Sequence, residues 1–114
     1  MSDCLFCKMV AGEIKPDVVY ENEFVLAFRD LNPQAPVHIL IIPKKHITSI
    51  DDIADEDCAL MGEIMLAAKH IAQIEGLSES GYRTVFNCKQ DGGQEVYHIH
   101  LHLMGGRQMQ WPPG

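Results

Sequence analysis

From His98 to Leu103 polar and apolar side chains alternate without a break: His98, Ile99, His100, Leu101, His102, Leu103. A period of two belongs to an extended strand, whose successive side chains point to opposite faces; a helix would scatter these histidines round its circumference. The alternation predicts a strand over residues 96–104, with Ile99, Leu101 and Leu103 turned to a core. Three imidazoles then line the other face, about 6–7 Å apart at ~3.3 Å per residue. Imidazole near neutral pH is a nucleophile that takes up a phosphoryl or nucleotidyl group and then leaves again. A neighbouring imidazolium can give the departing group its proton. On these residues alone, a solvated face rich in histidine and a purely metal-binding face remain the alternatives.

The rest of the chain supplies the elements that such a strand needs. Residues 18–20 and 25–28 read as short strands around the polar turn Glu21-Asn22-Glu23. Residues 37–42 form a β-branched run ended by Pro43, suited to a buried strand. Asn32-Pro33-Gln34-Ala35-Pro36 must be a loop, and residues 82–88 read as a further strand. One long helix is expected, capped by Asp55 with Glu56 and Asp57 in its first turn. Its buried stripe is Leu60, Ile64, Ala67, Ala68 and Ile71, and Gly76 ends it. A short helix over residues 4–11 precedes Gly12 and Pro16. Asp91-Gly92-Gly93-Gln94 reads as a glycine loop whose N–H groups approach phosphate oxygens. This order suits an α+β fold with helices packed on an antiparallel sheet.

The chain has 114 residues, enough for one domain, 1–114, without disulfide staples. Nine Lys and Arg against sixteen Asp and Glu give a net charge of −7, which disfavours a nucleic-acid surface. A small phosphate ligand needs no global positive charge. No apolar stretch is long enough to cross a membrane, and Met1-Ser2-Asp3-Cys4 lacks the basic flank and apolar run of an export signal. A cytoplasmic location is expected.

Cys4-Leu5-Phe6-Cys7 places two thiols one helical turn apart, close enough to share a metal ion. Zinc would need two more ligands, for which histidine is the natural choice; two ordinary core cysteines are the alternative. Cys58 and Cys88 have no partner pattern and are expected to be buried thiols.

The stretch from Gly92 to Leu103, with its His-Ile-His-Leu-His-Leu core, closely resembles the histidine-triad (HIT) family pattern. The blocks from Phe28 to His38, from Ile42 to His46 and from Gly105 to Gly114 resemble the signature blocks of its HINT branch, in the same order. The resemblance covers nearly the whole chain. It implies a five-stranded antiparallel sheet with one long and one short helix, and a homodimer joining two sheets into one of ten strands. It also implies hydrolysis of purine nucleoside phosphoramidates of the AMP–amine type. Within the superfamily the alternative is a dinucleoside polyphosphate hydrolase or nucleotidyl transferase. A nucleotide- and zinc-binding interaction protein is the alternative of another class.

By the same resemblance His100 is the nucleophile, His102 contacts phosphate and leaving group, and His38 supports them. Asp30 binds the ribose hydroxyls, and Asn87 with the Gln94–Val96 backbone holds phosphate. Leu5, Phe6, Met9, Phe28, Leu31 and Leu40 enclose the base. Read without the family, Asp30 is a turn cap, Phe28 and Leu40 are core, and His38 is as readily a structural histidine. Relatives with the cysteine pair suggest a structural zinc site of Cys4, Cys7, His46 and His98, with no metal needed for catalysis. Glu95 stands where animal members carry serine, near the scissile bond, so neutral amine leaving groups are favoured over strongly anionic ones. The tail 105–114, with Trp111, reaches the partner subunit and borders its active site.

Overall fold

The computed structural model describes residues 3–114; Met1 and Ser2, the first two residues of the start read for an export signal, lie outside them. Helix α1 spans Leu5–Val10, followed by strands β1 (Val18–Glu21), β2 (Val25–Arg29) and β3 (Val37–Pro43). Two single 3-10 turns lead into helix α2 (Cys58–Ile74), and then come β4 (Tyr82–Phe86), the short helix α3 (Lys89–Gly92) and β5 (Leu101–Gly105). The five strands form one antiparallel sheet in the order β1-β2-β3-β5-β4. This is the α+β architecture expected. Among the described residues no helix is long and apolar enough to cross a membrane.

The pleat sorts the sheet's side chains into two layers. Val25, Ala27, Ile39, Ile41, Leu101 and Leu103 face α2 and pack against its Ile64, Ala67, Ala68 and Ile71. Leu26, Phe28, Leu40 and Ile42 face the other way and pack against Phe6 of α1. Strand β3 is therefore covered on both sides, which is why residues 37–42 read as an apolar run rather than an alternation. Helix α2 ends in a Schellman motif: Leu77 N–H donates to Ala72 O (2.8 Å) and Gly76 N–H to Gln73 O (3.2 Å). Gly76 takes a φ of +75°, which glycine adopts without a Cβ clash.

Several boundaries differ from those read in the sequence, among them the end of β4 at Phe86 rather than at residue 88. Asp55 does not cap α2; residues Asp55–Asp57 form a 3-10 turn, and the helix proper starts at Cys58. The Asp57 carboxylate is engaged instead by Ala54 N–H (2.9 Å) and the Lys45 ammonium (2.6 Å). The glycine loop is a helical turn, Lys89–Gly92, closed by Gly93 at a φ of +80°. Strand β5 begins at Leu101 rather than at residue 96. Continuing the β3–β5 register would set Ile99 opposite Pro43, which has no N–H to give the ladder. Ile99 N–H bonds Ile47 O (2.7 Å) instead. The expected thiol burial also fails, since Cys58 is exposed and Cys88 half-buried.

Candidate functional site

On the face of the sheet away from α2, a cavity of about 310 Å³ opens beside the histidines. Its apolar wall comes from α1 and the sheet: Leu5, Phe6 and Met9 on one side, Phe28 and Leu40 on the other. Phe28 and Leu40 are register partners across β2 and β3, and Leu40 in turn pairs with His102 on β5. One row across three strands thus carries the cavity from apolar to polar. Asp30, Leu31, Glu95, Val96, His100 and His102 complete it.

The ring nitrogens at this site are assigned by their partners. His100 Nδ1 lies 2.8 Å from the main-chain oxygen of His98, so it carries the proton and donates. Its Nε2 is then the unprotonated nitrogen left to the cavity. Gln34 N–H donates to His38 Nδ1 (3.0 Å), which puts the His38 proton on Nε2, 2.9 Å from His102 Nδ1. His102 Nδ1 accepts, so His102 Nε2 is an N–H donor. Burial lowers the His38 pKa, against the pull of Asp30, whose carboxylate lies 3.4 Å away. Burial, with the neighbouring imidazoles His100 and His38, pushes His102 down to about 4. His38 and His102 are therefore neutral near pH 7, and the His102 donor stands beside the His100 ring, centroids 5.0 Å apart.

His98 faces elsewhere. Its side chain is fully buried, and its Nε2–H donates to Pro43 O (2.8 Å). Its Nδ1 looks toward Cys4 Sγ (3.3 Å), Cys7 Sγ (3.5 Å) and His46 Nδ1 (3.2 Å). Cys7 Sγ and His46 Nδ1 are 3.2 Å apart, and all four ligand atoms lie within 4.8 Å of one another. A tetrahedral ion with ~2.0 Å bonds to nitrogen and ~2.3 Å bonds to sulfur sets its ligands about 3.3–3.7 Å apart. The cluster fits such an ion with little adjustment. Burial pushes His98 down to about 4, which keeps its imidazole neutral as a ligand must be.

The cavity gathers ten of the residues read as nucleotide contacts and leaves three outside. Asn87 lines a separate hollow with Arg83, Val85 and Met109. Trp111 is 83% exposed, on a tail held by Arg83 to Gln110 O (2.8 Å). Gln94 is buried, and its amide is spent on Lys89 N–H, Thr48 O and Val96 O. Its own N–H bonds Lys89 O and that of Gly93 bonds Gln90 O, so neither is open to a phosphate. Asp30 does cap a turn, accepting from Asn32 N–H (2.8 Å), while still lining the cavity. The sequence reading missed Ile14, Lys15, Pro16, Asp17 and Arg29, which line its outer lip. The segment after α1 reaches it by a loop return that no periodicity announces.

Residues 11–109 match the HIT domain family, across most of the chain. The chain belongs to that family. A crystal structure of a HIT family hydrolase from Legionella pneumophila superposes with a TM-score of 0.97 at 63% identity, covering 98% of this chain and all of that one. A 14 kDa zinc-binding protein of Zea mays is 52% identical over 99% of this chain and 89% of its own length. A crystal structure of a histidine triad nucleotide-binding protein from Candida albicans has a TM-score of 0.83 at 30% identity, covering 96% of this chain and 83% of that one. The chain thus has the fold of HIT family hydrolases, and its four Cys/His ligands form a candidate metal centre.

Proposed function

We propose that this chain is a HINT-branch enzyme that hydrolyses purine nucleoside phosphoramidates of the AMP–amine type. The observation that carries the reading is the opposed protonation of two adjacent histidines at the cavity, a lone pair on His100 and a donor on His102. His100 Nε2 attacks the α-phosphorus, the P–N bond to the amine breaks with the departing nitrogen taking a proton from solvent, and the neutral His102 Nε2–H donates a hydrogen bond to the phosphoryl oxygen on which charge builds. Water then attacks the nucleotidyl-histidine, the P–N bond to His100 breaks, the water's proton passes to solvent, and AMP leaves with the His100 Nε2 lone pair restored. The apolar wall of Leu5, Phe6, Met9, Phe28, Leu31 and Leu40 takes the purine, and Asp30 accepts from the ribose hydroxyls. His38 holds the His102 tautomer, and the main chain around Glu95 and Val96 faces the phosphate.

The same reading makes Cys4, Cys7, His46 and His98 a structural zinc site, in keeping with the zinc-binding name of the maize relative. It takes the chain as one domain of a cytoplasmic homodimer with a ten-stranded sheet, its tail with Trp111 reaching the partner subunit's active site. Replacing His100 by alanine tests the mechanism. Loss of adenosine phosphoramidate turnover with AMP binding kept is expected; turnover that survives overturns it. Tight nucleotide binding by wild type without turnover of any phosphoramidate would favour an interaction protein, and faster cleavage of dinucleoside polyphosphates would favour the other branch.

A further inference from the structure

The Cys/His cluster and the nucleotide cavity share their walls. Helix α1 carries Cys4 as its N-cap, the Sγ accepting from Cys7 N–H (3.3 Å), and Cys7 within its first turn. The same six-residue helix supplies Leu5, Phe6 and Met9 to the cavity. A helix this short has no stability of its own in water and must be held from outside. Phe6 lies edge-on to Phe28 (5.4 Å between centroids), to His98 (5.8 Å) and to His100 (5.2 Å). His98 is the hinge of this arrangement. Its Nδ1 faces the cluster, and its main-chain oxygen holds the His100 proton in place.

We propose that the Cys4, Cys7, His46 and His98 cluster is a positioning site for the reaction, through which bound zinc sets nucleotide affinity and the tautomer of His100. The inference rests on the function proposed above and deepens it. Two links run from the cluster to the chemistry. Cys4 and Cys7 pin α1, and with it the cavity's apolar wall. His98, anchored through its ring at both nitrogens, fixes the carbonyl that assigns the His100 tautomer. Without the cation, α1 is held by Phe6, by the partly buried Met9 and Val10 and by the weaker Cys–His contacts, and the wall loosens. The core between the sheet and α2 draws on neither α1 nor the cluster, so the chain keeps its fold when the ion is removed.

Titrating metal-stripped protein with Zn(II) tests this, with AMP affinity measured by calorimetry at each occupancy. Far-UV circular dichroism is expected to stay folded throughout. AMP is expected to bind about tenfold or more weakly without the ion and to recover at one equivalent. Equal AMP affinity in stripped and loaded protein overturns the proposal, as does failure of Zn(II) to bind. Should stripping unfold the chain, His46→Gln decides, because His46 is exposed and lines no part of the cavity. In that variant AMP affinity must follow Zn(II) concentration at the variant's own weakened midpoint; independence from Zn(II) overturns the proposal. A second readout needs no nucleotide. In 15N spectra of the imidazoles, His100 should be the single Nδ1–H tautomer when loaded and an averaged mixture when stripped. An unchanged His100 signal overturns the coupling. Loaded protein that shows the tautomer change but binds no AMP overturns only the nucleotide reading beneath it.

Discussion

His38 Nε2 lies 2.9 Å from His102 Nδ1, and this contact decides which nitrogen of His102 carries the proton. Replacing His38 by alanine removes the donor and leaves His102 free to adopt either tautomer. We expect kcat to fall with KM little changed, by less than the roughly 10²–10³-fold loss expected of His102→Ala, which removes a hydrogen-bond donor to the transition state. Steady-state kinetics on an adenosine phosphoramidate check it; a His38 variant at wild-type kcat would sink the relay.

The same relay predicts a pH dependence of stability. His102 is held down to about 4 in the folded chain, against an ordinary value near 6.5. Between those values the unfolded state binds the proton more readily than the folded one, so stability is fully present above pH 6.5 and is lost as pH falls toward 4. The slope in that window is at most about 1.4 kcal/mol per pH unit for one histidine. Denaturation midpoints measured from pH 7.5 to 4.5 should fall, and His102→Asn should flatten the curve. A variant whose slope matches wild type removes His102 as the cause.

Glu95 is exposed at the cavity beside His100 and His102, where its carboxylate opposes an anionic leaving group. Glu95→Ser is expected to raise turnover of dinucleoside polyphosphates relative to phosphoramidates. Competition assays with both substrates measure that ratio, and an unchanged ratio refutes the role.

The tail makes few contacts for its length. Deleting residues 109–114 removes the Arg83–Gln110 bond and an 83% exposed Trp111. Stability should change by no more than about 0.5 kcal/mol, while the ranking of amine leaving groups shifts. Identical specificity constants across an amine panel would rule out a role for the tail at the active site.

Gly105 is a test of packing rather than chemistry. A Cβ at this position would sit 2.7 Å from Leu77 Cδ1 and 2.8 Å from Cδ2, and Leu77 is buried below the end of α2. Gly105→Ala is expected to cost about 1–3 kcal/mol, and adding Leu77→Ala should remove part of that penalty. Chemical denaturation of the two single variants and the double variant gives the coupling.

The sheet was legible because its strands carry their own signals: alternation in residues 98–103, the doubly covered run of residues 37–42, and the helical spacing from Ile64 to Ile71. The histidine alternation was right about the faces and too long about the strand. Ile99, Leu101 and Leu103 are buried, yet pairing stops at Leu101, where the missing N–H of Pro43 ends the ladder. That proline stands 58 residues before Leu101, and register between distant strands is not written in either. Gln94 shows the converse difficulty. A polar residue beside a glycine pair suggests ligand contact, whereas its amide is buried and bonds three backbone groups. The Lys15-Pro16-Asp17 lip has no pattern at all and reaches the cavity only through the tertiary fold.

The pleat of β2, β3 and β5 has a consequence for how such a chain can diverge. Odd positions such as Ile39, Ile41 and Leu101 pack against α2, while even positions such as Phe28, Leu40 and His102 line the cavity on the opposite face. Neighbouring residues on one strand are therefore under separate selection. A lineage can exchange the even residues that line the cavity while the odd set keeps the sheet packed on α2.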